Sequence, residues 1–241
     1  DLVGGVPPVT ALMVAEHFGP TLQGEGPFAG RSAGFIRLGM CNLSCSWCDT
    51  PYTWDDSRFT LADEMRLIDA DVLAADAKEW RTPIVVLTGG EPLVQQGKAG
   101  WAQLLTSLHL QGQSAHVETN GTIPPNPATD ALVDHFSVSV KLANAGDPEQ
   151  QRIKARAIEW FAASDRAIFK FVASTPADLD EVDRIVHRHG IAGDKVWIMP
   201  EGAEPEDTLN TMLEVADEVV ARRWNLTTRL HVLCWGNTRG V

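Results

Sequence analysis

Three cysteines within eight residues are the most chemically informative feature of this sequence. Cys41, Cys45 and Cys48 have the spacing C-x3-C-x2-C. Three thiolates on one short loop can bind three irons of an iron–sulfur cluster and leave the fourth iron free for another ligand. Structural zinc sites and electron-transfer clusters normally have four protein ligands. We therefore interpret this segment as a three-ligand cluster loop. A zinc knuckle or three unrelated thiols are the alternatives.

A glycine-rich turn, Thr88-Gly89-Gly90-Glu91-Pro92, directly follows the apolar run 84–87. Two consecutive glycines allow a sharp turn that presents backbone N–H and C=O groups to a ligand. In isolation such a sequence is most often a plain turn. Because it comes one strand after the cluster loop, we predict that it binds a ligand beside the cluster.

Polar residues also end the next strands along the chain. Glu118 can accept hydrogen bonds from ribose hydroxyls, and a turn with a solvated carboxylate is the alternative. Ser139 and Lys141 follow the strand after that, where their side chains suit a ribose or a carboxylate. Lys170, between two phenylalanines, is a further interior candidate, with a surface lysine as the alternative.

A second glycine-rich segment, Leu22-Gln23-Gly24-Glu25-Gly26, precedes the cluster loop. Its glycines permit the close approach of a ligand. The carboxylate of Glu25 suits the N–H edge of a guanine-like or pterin ring, and Arg31 can bind a carboxylate through two hydrogen bonds. A turn with surface charges is the alternative. His231, near the other end of the chain, is either a substrate contact or a core histidine.

Composition favours a globular protein that acts on a small molecule. The chain has 241 residues, of which 44% are apolar, and a net charge of −12. Nucleic-acid binding needs clustered Lys and Arg, so we expect no nucleic-acid partner. No apolar run approaches the roughly 18 residues of a membrane span, and residues 1–8 lack the features of a secretory signal. Clustered cysteines suit a reducing cytoplasm. Cys234 lies in an apolar run and is predicted to be buried.

Short β-rich runs alternate with helical patterns, which predicts an α/β fold, an incomplete parallel (β/α) barrel of about six βα units. We expect one domain: an amino-terminal substrate-binding segment (1–32), the core barrel (33–200), and a carboxyl-terminal helix and strand (201–241). The cluster loop and polar turns fall at carboxyl ends of strands, where parallel sheets bind ligands. The predicted strands are 12–17, 34–38, 84–87, 116–118, 136–140, 167–172, 196–199 and 229–233, and the predicted helices include 60–80, 101–108, 175–190 and 209–220.

Taken together, these segments resemble the radical S-adenosylmethionine (radical SAM) superfamily, and within it the 7-carboxy-7-deazaguanine synthase family. The cluster loop, with Trp47 before its last cysteine, and the Gly-Gly-Glu-Pro turn carry the first resemblance. The second is carried by the segment 22–26, Arg31, the segment 41–55 and the segment 233–241. The chain lacks an insertion that some members have between the first two cysteines. It has Ser-Val-Lys at 139–141, where Ser-Pro-Lys is common.

The resemblance implies a 4Fe–4S cluster on the three cysteines, S-adenosylmethionine on the open iron, and Mg²⁺ on Thr50. It gives Asp49 as a weaker candidate for positioning the substrate. It implies that S-adenosylmethionine is bound by Trp47, Gly89, Gly90, Glu91, Glu118, Ser139, Lys141 and Met199. It implies that the substrate, 6-carboxy-5,6,7,8-tetrahydropterin, is bound by Leu22, Gln23, Gly24, Glu25, Arg31, Thr88, His231 and Val241.

The implied reaction begins when the reduced cluster cleaves S-adenosylmethionine to a deoxyadenosyl radical, so no side chain is expected to be catalytic. The radical takes a hydrogen from C6 of the pterin, the ring contracts, ammonia leaves, and 7-carboxy-7-deazaguanine forms. A flavodoxin- or ferredoxin-type reductant and a homodimer are expected. The alternatives are an activating enzyme for a glycyl-radical protein, and a non-catalytic metal-binding module with Cys234 or a histidine as fourth ligand.

Overall fold

The computed structural model describes residues 9–236 and 238–241, and in these ranges nine strands form one mixed sheet. The first eight residues of the expected 1–32 segment, and with them the secretory-signal prediction, lie outside the described residues. The strands are β1 (Ala11–Leu22), β2 (Ser32–Leu38), β3 (Arg66–Asp69), β4 (Ile84–Gly89), β5 (Ser114–Thr119), β6 (His135–Val138), β7 (Ala167–Ala173), β8 (Val196–Pro200) and β9 (Asn225–Leu226).

The sheet has the order β3-β1-β2-β4-β5-β6-β7-β8-β9 and does not close on itself. Strands β2 and β4 to β9 are parallel to one another, whereas β1 runs antiparallel to both β2 and β3. Helices follow each of the strands β4 to β8, and two further helices lie between β2 and β4, one on either side of β3. The predicted incomplete parallel barrel is confirmed. The antiparallel β1 at its open side was not anticipated.

The helices are α1 (Leu61–Glu64), α2 (Ala70–Trp80), α3 (Ala99–Leu110), α4 (Pro127–Leu132), α5 (Glu149–Arg152), α6 (Ala155–Ala163), α7 (Asp178–His189), α8 (Pro205–Ala221) and α9 (Leu230–Trp235). Short 3-10 turns join several of these elements. Among the described residues no helix is both long enough and apolar enough to cross a bilayer.

The predicted single helix 60–80 is wrong, because it contains a strand. Residues Arg66–Asp69 pair with the start of β1 and so satisfy one edge of that strand. Asp69 then begins a new helix, since its carboxylate accepts the N–H of Asp71 at 2.8 Å. An N-cap inside a long helical pattern was the local signal for this break.

The predicted strand 229–233 is also wrong. The chain forms the short strand β9 at Asn225–Leu226 and then the helix α9 at Leu230–Trp235. A short apolar run fits either a strand or a buried helical turn. In the helix, Val232 faces the interior while Cys234 is exposed, so the predicted burial of Cys234 is wrong as well.

Alternation along the strands separates the core from the functional interior. Val85, Leu87 and Val117 lie on the outer face of the sheet, where they pack against residues such as Trp101 and Leu104 of α3. Successive strand residues point to opposite faces. Their neighbours in sequence therefore point into the open barrel, and these inward residues carry the polar groups of the site.

Candidate active site

A single pocket at the carboxyl ends of the parallel strands collects most of the predicted site residues. The predicted residues that line it are Leu22, Gln23, Glu25, Cys41, Cys45, Trp47, Cys48, Thr50, Thr88, Gly89, Gly90, Glu118, Ser139, Lys141, Met199, His231 and Val241. Three predicted residues, Gly24, Arg31 and Glu91, do not line it. These side chains come from segments spread over more than 200 residues, so the fold alone assembles the site.

The cluster loop is held by the segment that follows β6. Ser44 donates to Asp147 Oδ1 through its backbone N–H at 2.9 Å and its hydroxyl at 3.0 Å. The backbone N–H of Ser46 donates to the carbonyl of Ala145 at 2.8 Å. Cys45 packs with Ala145 in a small apolar cluster that Cys41 and Cys48 also contact. The three thiols are thereby held on one wall of the pocket.

The chemistry of these thiols fits an iron–sulfur cluster. Burial raises the pKa of Cys41 to about 11 and that of Cys45 to about 12, so metal is needed to hold them as thiolates at neutral pH. The indole N–H of Trp54 donates to Cys48 Sγ at 3.4 Å. No three His, Cys, Asp or Glu side chains among the described residues converge on one point as ligands of a single ion would. The thiolates of a four-iron cluster bind different iron atoms and need no such convergence.

The Gly-Gly turn is hydrogen-bonded to the backbone just before the cluster loop. Gly90 donates its N–H to the carbonyl of Leu38 at 3.1 Å, and Glu91 donates to that of Met40 at 2.8 Å. A Cβ at Gly90 would lie 2.1 Å from the Met40 carbonyl oxygen. Glycine is therefore required here by the approach of two backbones, and the turn still presents Gly89 and Gly90 to the pocket.

Glu91, which is predicted to contact S-adenosylmethionine, does not line the pocket. Its carboxylate is fully buried and accepts hydrogen bonds from the N–H of Leu93 (3.0 Å), the hydroxyl of Thr119 (2.8 Å) and the N–H of Asn120 (2.7 Å). Burial raises the pKa of Glu91 despite these bonds. Its role is to fix the turn after β4 against the turn after β5.

Two predicted cofactor residues and the cluster-loop tryptophan form one polar corner. The ammonium of Lys141 donates to Ser139 Oγ at 2.9 Å and lies 5.1 Å from the centre of a Trp47 ring. The indole N–H of Trp47 donates to Asn144 Oδ1 at 3.2 Å. Both polar residues of the Ser-Val-Lys sequence therefore line the pocket beside Trp47.

Glu25 lies at the centre of a charged group in the same pocket as the cluster loop. Lys170 donates to its Oε2, Arg229 Nε lies 3.4 Å from its Oε1, and His231 Nε2 lies 3.9 Å from its Oε1. Burial by itself would raise the pKa of Glu25, but Lys170, Arg229 and His231 outweigh burial and lower it. Arg229 also donates to Asp49 Oδ2 at 2.6 Å, so it joins this group to the cluster loop.

Glu118 connects two predicted substrate residues. It accepts from the side-chain amide of Gln23 at 3.2 Å and from the hydroxyl of Thr88 at 2.9 Å. The structure therefore brings the ends of β1, β4 and β5 together through one carboxylate.

Arg31, which is predicted to contact the substrate, is exposed and does not line the pocket, whereas Arg37 does. The Arg31 carbonyl accepts the N–H of Gln23 at 2.8 Å, which is a role of the backbone. Arg37 is on β2, and its Nε donates to Glu16 Oε1 at 2.6 Å. An arginine alternating with the apolar residues Ile36 and Leu38 was the signal that sequence reasoning missed.

Gly24 does not line the pocket but has a structural role beside it. A Cβ at this position would lie 2.0 Å from Nδ1 of His231, and the Gly24 carbonyl accepts the N–H of Leu230 at 2.9 Å. The close approach that glycine permits here is that of α9. The amino-terminal segment is thereby joined to the carboxyl-terminal one, and His231 is fixed beside Glu25.

Thr50 lies directly after Cys48 and Asp49 and is 6% exposed. Its hydroxyl does not cap the short 3-10 turn Pro51–Thr53 that it begins, and lies 3.7 Å from Cys48 Sγ. Pocket residues that the sequence reasoning did not single out include Arg37, Trp54, Thr119, Asn120 and Arg229.

Comparison with known proteins agrees with this site. The model of the radical SAM superfamily matches residues 36–160. The 7-carboxy-7-deazaguanine synthase of Pyrobaculum aerophilum is 40% identical over 222 residues, which cover 91% of this chain and 93% of the relative. That of Bacillus subtilis is 28% identical over 248 residues, covering 95% and 98%. The crystal structure of QueE from Escherichia coli superposes with a TM-score of 0.68 at 26% identity, covering 92% of this chain and 95% of that one.

The three-cysteine loop at the carboxyl ends of a parallel sheet, together with the matched model, makes this chain a member of the radical SAM superfamily. Membership implies a 4Fe–4S cluster and S-adenosylmethionine as cofactors, and the three thiols and the Gly-Gly turn fit them. Similarity over nearly the whole chain goes further: the chain belongs to the 7-carboxy-7-deazaguanine synthase family.

Proposed function

We propose that this chain converts 6-carboxy-5,6,7,8-tetrahydropterin to 7-carboxy-7-deazaguanine and ammonia. The reaction is a rearrangement with loss of NH₃ and no net oxidation or reduction of the substrate. The observation that carries the proposal is the pocket itself, which is lined both by the cluster loop and by the Glu25–Lys170–Arg229 group.

The cofactors supply the radical that takes a hydrogen atom from the substrate, and the protein supplies binding, orientation and exclusion of water. Glu25 is kept ionised by its two cationic neighbours, so it can accept hydrogen bonds from the N–H edge of a pterin. Arg37 uses only Nε for Glu16, which leaves its terminal nitrogens available for the substrate carboxylate. Glu118 orients Gln23 and Thr88 toward the same space.

Asp147 and Ala145 fix the cluster loop, and Gly90 fixes the Gly-Gly turn against Leu38. Ser139 and Lys141 lie beside Trp47 and are assigned to S-adenosylmethionine. Met199, which also lines the pocket, is assigned to the same cofactor. This division places one ligand against the cluster loop and the other against Glu25. A hydrogen atom can pass between two ligands held in contact in this way.

Thr50 is assigned to Mg²⁺, which would be shared with the substrate carboxylate. Mg²⁺ favours oxygen ligands, keeps several waters and often shares substrate oxygens. The Thr50 hydroxyl is not used for capping, which supports its availability. Asp49 is paired with Arg229 and is therefore a poorer ligand. A flavodoxin- or ferredoxin-type reductant, a homodimer and a cytoplasmic location remain expectations.

Thr50→Ala should lower turnover chiefly when Mg²⁺ is limiting, because the substrate carboxylate then loses the shared ion. The assay is deazaguanine formation against Mg²⁺ concentration. Thr60→Ala is the matched control, since Thr60 is exposed and its side chain makes no capping hydrogen bond. If the Mg²⁺ dependence of Thr50→Ala equals that of the control, Thr50 is not a ligand.

Anaerobic reconstitution with iron and sulfide, followed by turnover with S-adenosylmethionine, a chemical reductant and the pterin, tests the function itself. Deazaguanine and ammonia should form in equal amounts, with S-adenosylmethionine acting catalytically. An activating enzyme for a glycyl-radical protein would instead cleave S-adenosylmethionine without making deazaguanine. Deoxyadenosine that accumulates with no deazaguanine would refute the substrate assignment.

A further inference from the structure

Residues 238–241, which we call the strap, lie at the edge of the pocket. Val241 lines the pocket, and Arg239 contacts three separate segments of the chain. Its Nε donates to Glu16 Oε2 at 2.9 Å and its Nη1 to Glu64 Oε2 at 3.0 Å. Its guanidinium carbon lies 3.8 Å from the centre of the Tyr52 ring. These contacts hold the strap to β1, to α1 and to the 3-10 turn after the cluster loop.

The same Glu16 carboxylate also holds Arg37. The Nε of Arg37 and the hydroxyl of Tyr52 both donate to Glu16 Oε1, at 2.6 Å and 2.9 Å. Burial would raise the pKa of Glu16, but Arg37 and the hydrogen bonds from Arg239, Arg37 and Tyr52 lower it. The side chains of Glu16 and Arg37 are only 14% and 19% exposed, so each depends on the other for compensation of its charge. One carboxylate therefore joins the strap to a pocket arginine.

We propose that Glu16 and Arg239 are positioning residues that link closure of the strap over the pocket to substrate binding at Arg37. The inference rests on the proposed function, which assigns the substrate carboxylate to Arg37. With Arg239 on one oxygen of Glu16, the other oxygen faces Arg37 and fixes the direction of its guanidinium. Loss of Arg239 releases the strap and lets the Glu16 carboxylate rotate, so Arg37 is no longer held in one orientation.

Kinetics of Arg239→Ala test this inference in the reconstituted enzyme. The KM for the pterin should rise about tenfold, which corresponds to about 1.4 kcal/mol. The kcat should change much less, and the amount of deoxyadenosine released per deazaguanine should increase because the pocket is open to water. The KM of Arg239→Lys should lie between those of the wild type and Arg239→Ala, since one ammonium cannot reproduce the guanidinium that reaches both Glu16 and Glu64.

Arg222→Ala is the matched control. Arg222 also forms several ion pairs, with Asp180, Asp183 and Glu218, but does not line the pocket. It should leave the KM and the deoxyadenosine ratio at wild-type values. A wild-type KM in Arg239→Ala, or an equal rise in Arg222→Ala, overturns the inference.

Hydrogen–deuterium exchange gives a readout that does not require turnover. In the anaerobic holoenzyme without pterin, the peptide that contains the strap should exchange faster in Arg239→Ala than in the wild type. Added pterin should slow this exchange in the wild type and not in the variant. Faster exchange in the variant together with a wild type that makes no deazaguanine would refute the proposed function while supporting the Arg239 contact. Equal exchange in both proteins would overturn the role of Arg239.

Discussion

Lys170→Met tests the charge balance around Glu25, on which substrate recognition depends. Lys170 donates to Glu25 Oε2, and the two side chains are 5% and 13% exposed. Methionine keeps an unbranched, flexible side chain of similar length and removes the charge. Glu25 is then left with Arg229 at 3.4 Å and His231 at 3.9 Å.

Lys170→Met should lower the free energy of unfolding, because it leaves the buried Glu25 carboxylate with fewer positive charges beside it. Removal of one partner from a buried ion pair typically costs about 3–5 kcal/mol. Arg229 continues to compensate part of the Glu25 charge, so we expect about 2–3 kcal/mol. For a chain of this length that loss lowers the Tm by about 4–12 °C.

The pH dependence of this loss has a definite sign. The folded pKa of Glu25 lies below its ordinary value of 4.5, so the stability it contributes is present above pH 4.5 and is lost as the pH falls further. The pKa of Lys170 is raised above its ordinary value of 10.5, because Glu25 and Glu118 outweigh burial, so its contribution persists until the pH exceeds 10.5. The Tm difference between the wild type and Lys170→Met should be constant near neutral pH and shrink on acidification below 4.5.

Thermal unfolding of the anaerobic proteins provides the measurement. Lys78→Met is the matched control, because Lys78 is exposed near the end of α2. The double variant Glu25→Gln/Lys170→Met should regain part of the stability, since the buried Glu25 carboxylate is no longer charged, yet it should not regain pterin turnover. The reasoning fails if Lys170→Met unfolds at the temperature of the control, or if the double variant is no more stable than the single one.

Two further predictions concern packing and acid stability. Gly24→Ala should displace His231 and raise the KM for the pterin, since its Cβ would lie 2.0 Å from Nδ1; Gly97→Ala, where nothing lies within 4 Å, is the control and should match the wild type. Equal KM values in both would contradict the packing role. Burial lowers the pKa of His116 to about 4 from 6.5, so the unfolded chain binds a proton that the folded chain excludes, and stability should fall as the pH drops from 6.5 toward 4. Acid unfolding of His116→Leu should show a weaker fall, and an identical profile would refute this.

The strands of the barrel could be predicted because their apolar runs are short and each is bounded by turn residues. All six parallel strands from β2 to β8 lie within a few residues of their predicted places. The two wrong elements are both at the margins of the sheet. The strand β3 exists because β1 offers it an edge, and α9 exists because it packs against Gly24. Both causes are tertiary contacts that no local pattern contains.

Within the site, the segments whose sequence specifies a local backbone shape could also be predicted. The cysteine spacing and the Gly-Gly turn each specify a backbone shape, and both line the pocket. Glu91 shows the limit of this reasoning, because the motif was recognised but its carboxylate is used to fix Asn120 and Thr119. A motif identifies the segment that approaches the ligand without saying which of its side chains reaches it.

The ion pairs of the site that join distant segments could not be predicted from the sequence. Glu25 and Lys170 are 145 residues apart, and Arg229 and Asp49 are 180 apart. Each charge is tolerated in the interior only because the other arrives on folding. The sequence nevertheless contains a usable rule, since Arg37 and Lys170 both alternate with apolar residues in strands whose outer face packs against helices. An ionisable residue at an inward position of such a strand must be compensated, so it belongs to the pocket and has an opposite charge beside it. Applied to β2, this rule selects Arg37, which lies within the strand, over Arg31, which directly precedes it.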